Sequence, residues 1–430
     1  MQAADCVSPF SLPTNRPYYG WLMVGGLSLT ELVSWGVLVY AFSVFVVPMR
    51  AELGWSTAEL NTAYATGVLV SGVLAVPVGR LLQAHGARGV MTLGSAISVV
   101  MLLCWSRVTS VPAFFAVFVL GGLAMATTLY EPAFAVTAAW FDRSRPRAVL
   151  VLTIFGGFAS TVFVPLTGVL VTWLGWREAL LVLAAIAALV GLPIHGLLLR
   201  RRPEDLGLQV DGSQPARRRK DPPVTGDRRT VLRSASFRWI TLCLVLATTA
   251  RLGLSVILVA YLTERGYPLS RAALAAGAVG LFQVAGRLLV TVLRARWPEH
   301  RATAVIFLAQ GAAMLAPLLT SGRGAGATVS IVVFVVFFGL GFGLPELLRG
   351  SLVAEYYGPA NYASINGVLA AFVVAARAAG PFLAGVASTG LGSYVPVFAT
   401  AAMLAAGGAL ALNLAHRSRT AELQAAEHGP

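Results

Sequence analysis

The feature that most restricts how this chain can fold is a succession of long apolar runs. Crossing a hydrocarbon core about 30 Å thick takes about 20 mostly apolar residues, because an α-helix rises about 1.5 Å per residue. Twelve such runs can be read directly. The first six are Gly20–Val47, Leu60–Leu82, Gly89–Trp105, Val111–Trp140, Ala148–Leu174 and Ala179–Leu199. The second six are Trp239–Leu262, Ala272–Leu293, Ala302–Thr320, Ala325–Leu348, Ile365–Thr389 and Tyr394–Leu414. They are continuous rather than alternating, which excludes a membrane β-barrel. Only 12% of the 430 residues are charged, against about 25% in a soluble domain. A soluble or nucleic-acid-binding protein is therefore excluded despite a net charge of +14. The expectation is an all-α membrane protein of twelve transmembrane helices in two six-helix halves.

Arginine placement sets the expected orientation. With both termini inside, the inner segments carry Arg88, then Arg143, Arg145 and Arg147, then Arg294, Arg296 and Arg301, and finally Arg417 and Arg419. The central connection adds Arg200-Arg201-Arg202 and Arg217-Arg218-Arg219-Lys220. The other side holds only scattered cations such as Arg50, Arg107, Arg177, Arg265 and Arg323. The positive-inside rule then places both termini in the cytoplasm of a cell bearing this protein in its plasma (inner) membrane. Residues 1–18 lack the apolar core of a signal peptide and read as a cytoplasmic tail. The expected organisation is that tail, a first half over 19–199, a basic cytoplasmic linker over 200–237, a second half over 238–415, and a tail over 416–430. Trp21, Trp55, Trp105, Trp140 and Trp176, near span ends, read as belt anchors.

The two halves echo each other. Gly79-Arg80-Leu81-Leu82 closes the second span, and Gly286-Arg287-Leu288-Leu289 lies late in the eighth. Pro165-Leu-Thr-Gly168 in the fifth is matched by Pro381-Phe-Leu-Ala-Gly385 in the eleventh. Parallel six-helix repeats of this kind build transporters whose substrate site lies at the midplane between halves.

The segment Gly79-Arg-Leu-Leu-Gln83-Ala84-His-Gly86-Ala-Arg88 resembles the loop signature between the second and third spans of the major facilitator superfamily. Gly79, Gly86 and Arg88 match as the structural loop motif, while Gln83 and Ala84 replace its acidic and first basic positions. A narrower resemblance is to the bacterial branch related to monocarboxylate transporters and oxalate/formate antiporters. It rests on Tyr19-Gly20-Trp21, on Trp140 to Ala148, and on Phe282-Gln283-Val284-Ala285-Gly286-Arg287. That resemblance implies that Arg287 meets a substrate carboxylate. Gln283 stands where the monocarboxylate transporters usually place an aspartate, and their lysine late in the first span has no counterpart, Tyr40 being the nearby polar residue.

Charges at membrane depth are costly, so they face a cavity or pair. Glu31 lies near the middle of the first span, and Glu131 sits beside Pro132, which frees a carbonyl and can bend the fourth. Arg251, Arg287 and Arg377 lie within spans seven, eight and eleven, and Gln283 stands one turn before Arg287. Two readings stand side by side: these groups line a watery cavity, or they form interhelical pairs that hold helices together. On the first, Arg287, Tyr40, Gln283, Arg377, Arg251 and Tyr130 contact substrate, and Glu31 and Glu131 carry a coupling proton. Glu346 and Arg349, three residues apart, read as a structural ion pair on one helix face. Three dispersed cysteines and five dispersed histidines make no metal-ligand spacing, and no phosphate loop is present. No cofactor, metal, nucleic-acid partner or enzymatic activity is expected. The expectation is a monomeric secondary transporter moving a small organic anion, foremost a monocarboxylate, with a proton. The alternatives are a polyspecific proton-coupled exporter of lipophilic compounds and a transport-inactive membrane sensor.

Overall fold

A computed structural model of the chain describes residues 18–212, 228–293, 295–320 and 324–427. Residues 1–17 of the expected tail, the run Arg217–Lys220, Arg294 and Arg323 lie outside the described residues. The described residues are helical apart from short connections, and twelve helices are long and apolar enough to cross a membrane. We number them spans 1–12. The first half holds Tyr19–Leu53, Thr57–His85, Ala87–Ser106, Val111–Trp140, Arg145–Leu174 and Trp176–Leu198. The second holds Ala235–Glu264, Leu269–Leu293, Glu299–Leu318, Ala325–Arg349, Gly367–Gly390 and Val395–Gln424. The all-α, twelve-helix reading of the sequence is thus what the chain forms.

The ends differ from expectation where polar residues continue a helix past the apolar run. Span 1 extends beyond Val47 to Leu53, where Gly54 at φ 71° supplies the left-handed residue that closes it. Span 2 opens at once with a capping box, Ser56 accepting from the Glu59 amide at 3.1 Å. At the other end, residues expected as a tail from 416 continue the last helix to Glu427. Three of the five tryptophans expected in an interfacial belt are internal instead. Trp105, Trp140 and Trp176 are buried, and Trp105 packs edge-on against Phe45 and Phe118 in the core of the first half.

Several spans are locally broken, and the breaks fall near the centre of the molecule. Gly36–Tyr40 in span 1 is π-helical, a local widening that often accompanies functional positions. Span 4 is interrupted at Leu129, whose backbone is extended, and restarts at Tyr130. Pro132 explains this, since it has no N–H for the carbonyl one turn earlier. Span 10 is interrupted at Gly343, and its next helical segment starts at Leu344-Pro345-Glu346. Close helix approach depends on small residues. A Cβ on Gly286 of span 8 would land on the Leu340 carbonyl of span 10.

The halves meet through spans 2 and 11, spans 5 and 8, and spans 1 and 7. On the side away from the termini they are tied by Arg50–Glu264 at 2.8 Å and by the Ala58 amide donating to Thr389 at 3.2 Å. Tyr394 also donates to Glu264 there, at 2.8 Å. Midway, Gln283 donates to the Gly157 carbonyl and Arg287 to the Thr153 carbonyl. Nearer the termini, no hydrogen bond joins the halves among the described residues. Among the described residues, the bonds between halves thus fall midway and on the side away from the termini.

The connection after span 6 is docked on the first half rather than free over its described part. Leu199 and Pro203 are buried, and Trp140 donates its indole N–H to the Arg200 carbonyl at 3.3 Å. The carboxylate of Asp211 accepts from the amides of Asp142, Arg143 and Ser144 at 3.0, 2.6 and 3.1 Å. Burial pushes this carboxyl up, but the three amide donors outweigh that and hold it below the usual aspartate value.

Candidate functional site

The six residues expected to contact substrate come from five spans and line one central cavity between the halves. Tyr40, Tyr130, Arg251, Gln283, Arg287 and Arg377 all reach it. It holds about 70 Å³ of space for water centres, room for several waters where one needs about 10–15 Å³. Each arrives by a local feature of its span. The π-helical turn ends at Tyr40, the helix restarts at Tyr130 after the break at Leu129, and Gln283 and Arg287 stack one turn apart on a single face.

The guanidiniums are held in different ways. Arg251 is 6% exposed; it donates to the Phe342 carbonyl at 3.0 Å and to Glu346 Oε1 at 2.8 Å. Its guanidinium carbon sits 5.2 Å from the Phe342 ring centroid, and its Nε finds no partner. Arg377 donates to the same Oε1 at 2.7 Å. Arg287 has only backbone partners, Thr153 O at 3.1 Å and Gly343 O at 3.4 Å. No carboxylate answers it among the described residues. Three guanidiniums therefore face one cavity with a single carboxylate among them.

That carboxylate corrects one expectation. Glu346 makes its hydrogen-bonded ion pairs with Arg251 and Arg377 of other spans rather than with Arg349, although the charge of Arg349 on its own helix also acts on it. The break at Gly343 directs the restarted helix so that Glu346 faces the cavity, where two guanidiniums from other spans hold it. A signal for this existed in the repeat: Glu131-Pro132 in span 4 and Pro345-Glu346 in span 10 place an acid and a proline at corresponding breaks. Tyr64, also missed, lines the cavity and stacks on Phe42 with centroids 4.5 Å apart.

Neither of the two expected proton carriers lines this cavity. Glu31 is 0% exposed, off the cavity wall, and neither carboxyl oxygen has a hydrogen-bond partner. Glu131 is exposed and lines a separate recess of about 370 Å³ with Gln83, Gly86 and Arg201.

The loop motif has a visible structural task. Gly86, at φ 80°, turns the chain from span 2 into span 3, with Arg201 of the connection packed over it. Arg201 donates to the Ala84 carbonyl at 3.0 Å, and Arg88 donates to the Gly196 carbonyl at 2.6 Å. Gly79 lines the recess beside Glu131. Among the described residues, no group of His, Cys, Asp and Glu could hold a metal ion.

Comparison with known proteins agrees with this architecture. The family model described as Major Facilitator Superfamily matches residues 27–381. A bacterial homolog of the human lysosomal transporter Spinster, in an inward-facing and unoccupied conformation, is similar at TM-score 0.69 and 16% identity, covering 95% of this chain and 99% of that one. The same homolog in an occupied inward-facing conformation gives 0.66 and 16%, covering 96% and 98%. A mutant of the nucleoside transporter NupG gives 0.69 and 15%, covering 94% and 99%. No curated relative matches the chain. At such identities the solved structures speak for the fold, and the family match extends over most of the chain. The chain belongs to the major facilitator superfamily, as a multi-pass membrane transporter of a small-molecule substrate rather than an enzyme.

Proposed function

We propose that this transporter moves a small organic anion, foremost a monocarboxylate, by alternating access, together with a proton. The observation that carries the reading is the excess of positive charge in the central cavity: Arg251, Arg287 and Arg377 against Glu346 alone. A guanidinium offers a planar fork that matches a carboxylate with two parallel hydrogen bonds. Arg287, which now engages only neutral carbonyls, is the one free to do so without displacing an acid. Tyr40, Tyr130 and Gln283 supply neutral donors around it. Cavity size favours a small anion over a lipophilic drug, since about 70 Å³ is well under the ~300–1,000 Å³ typical of drug-sized pockets.

The bonds between halves fall midway and on the side away from the termini, which supports reading this state as the one whose site faces the side of the termini. On the positive-inside argument that side is cytoplasmic, in the plasma membrane, and the protein works as a monomer. Breaking the Arg50–Glu264 tie and bringing the opposite ends together would then expose the cavity to the outside.

The test is uptake of labelled lactate by the purified protein in liposomes, with and without an acidic exterior. Saturable uptake accelerated by the gradient is expected. Transport of lipophilic cations with no carboxylate transport would overturn the proposal in favour of a polyspecific exporter, and absence of any transport would favour a sensor.

A further inference from the structure

We propose that the anion this cavity is built for is a small aromatic carboxylate, one flat ring bearing the acid, and that Trp35 and Tyr130 select it. This rests on the anion-carrier reading above and adds the body of the ligand to its head. The cavity wall is divided by chemistry. Its charged residues, Arg251, Arg287, Arg377 and Glu346, all belong to the second half, on spans 7, 8, 11 and 10. The first half supplies no charge there. It presents the rings of Trp35, Tyr40, Tyr64 and Tyr130 among aliphatic and small residues. A carboxylate with only a small polar body behind it, such as lactate, uses one wall. A carboxylate with an apolar body uses both.

The two walls meet at a single carbonyl. Thr153 O of span 5 accepts from Arg287 at 3.1 Å and from the Tyr130 hydroxyl at 3.4 Å, so a carboxylate drawn to Arg287 has the Tyr130 side chain beside it. Gly156 and Gly157 leave room at this junction. A Cβ on Gly156 would land on the Tyr130 hydroxyl, and one on Gly157 would stand 3.8 Å from Arg287 Nη1. The rings form a preset shelf. Tyr130 lies parallel to Phe134, at 4° with centroids 5.2 Å apart, and Trp35 leans on it at 4.9 Å and 45°. Tyr40 continues the row, its centroid 6.1 Å from that of Trp35. A ligand ring added there finds the offset and edge-to-face partners that aromatic groups favour at about 4.5–7 Å.

Size confines the body to one ring. About 70 Å³ of space for water centres holds about five to seven waters at roughly 10–15 Å³ each. A flat monocyclic acid can take their place and a fused polycycle cannot. An aliphatic body of equal area removes as much surface from water but forgoes the ring–ring geometry, which is worth about 2- to 12-fold in affinity per contact. Trp35 is placed for this task rather than for anchoring at a lipid interface. It stands inside span 1, directly before the π-helical turn.

The experiment titrates the purified full chain with benzoate, cyclohexanecarboxylate, lactate and benzamide by calorimetry. Benzoate should bind about tenfold tighter than lactate, with cyclohexanecarboxylate, of similar size but not aromatic, between them. Benzamide, the neutral analogue, should not bind. Trp35→Leu should lose about tenfold for benzoate and nothing for lactate, and Trp35→Phe should restore the preference. In liposomes, 4-hydroxybenzoate loaded inside should accelerate the entry of labelled lactate, as a transported substrate does and a blocker does not. Three results would overturn this inference and leave the anion site standing: benzoate no tighter than lactate or cyclohexanecarboxylate, a preference that survives Trp35→Leu, or internal 4-hydroxybenzoate that fails to accelerate lactate. Benzamide binding as well as benzoate, or no carboxylate binding at all, removes both. Should Trp35→Leu not fold, the wild-type series and the liposome exchange decide between these outcomes.

Discussion

Replacing Arg287 by alanine tests the anion site with the least disturbance to the fold. In the empty site this guanidinium donates to two backbone carbonyls, at 3.1 and 3.4 Å, and to no acid among the described residues. Losing two such bonds costs about 1 kcal/mol each. Removing a cation from membrane depth returns roughly 2.5–3.5 kcal/mol on insertion scales. The two nearly cancel, so Arg287→Ala should insert and melt like wild type. What it loses is a charge-assisted pair with substrate, about 1.5–3 kcal/mol, or roughly 10- to 150-fold in affinity at 1.4 kcal/mol per decade. Arg287→Lys keeps the charge but loses the fork, and should fall in between. The assay is the initial rate of labelled lactate uptake against concentration in liposomes, beside the melting temperature of the same preparation. Wild-type rates at low lactate in Arg287→Ala would refute the placement of the carboxylate.

Three further outcomes follow from particular contacts. The Arg50–Glu264 tie is between side chains 38% and 49% exposed, so Arg50→Ala should shift the opening equilibrium by no more than about 1 kcal/mol, some fivefold. Labelling of a cysteine placed at Tyr40 by an impermeant thiol reagent, added from the side away from the termini, should rise accordingly; an unchanged rate would show that this pair does not hold the gate. Gly286→Ala puts a Cβ onto the Leu340 backbone carbonyl and should cost about 1–3 kcal/mol by overpacking, whereas Gly89→Ala, with open space around it, should not; equal melting temperatures would contradict the tight crossing of spans 8 and 10. Asp211→Ala should speed tryptic cleavage within 200–238. The same release should follow acidification, because a carboxyl held below its ordinary value stabilises the docked form above that value and loses this as pH falls through the lowered one. Cleavage that ignores both changes would mean that Asp211 does not hold the connection.

Much of this architecture could be read without coordinates because lipid leaves few options. Backbone groups must be satisfied within each span, so apolar length alone predicts the twelve helices. The cost of burying charge singled out Arg251, Arg287 and Arg377, and they do share a cavity. The partner of each was less legible. The spacing of Glu346 and Arg349 suggested a pair along one helix, but spacing on a regular helix does not describe a span broken at Gly343, and the true partners lie on spans 7 and 11. Glu31 and Glu131 carry the same chemistry in sequence, yet one is sealed and the other exposed. Packing of neighbouring helices decides that, and helical periodicity does not encode it. Trp105 and Trp140 were expected at the lipid interface because of where they fall along their spans. Which face of a span turns inward is set by its neighbours.

The central claim, that cationic groups between the halves form an anion site, is tested most directly by ligand-induced stabilisation of the purified protein, wild type beside Arg287→Ala. A ligand that binds the folded state raises the melting temperature in proportion to how far its concentration exceeds its dissociation constant. Small carboxylates should stabilise wild type and leave Arg287→Ala unmoved, with sugars and lipophilic cations inert on both. Stabilisation by lipophilic cations, or equal stabilisation of both proteins by carboxylates, would contradict it.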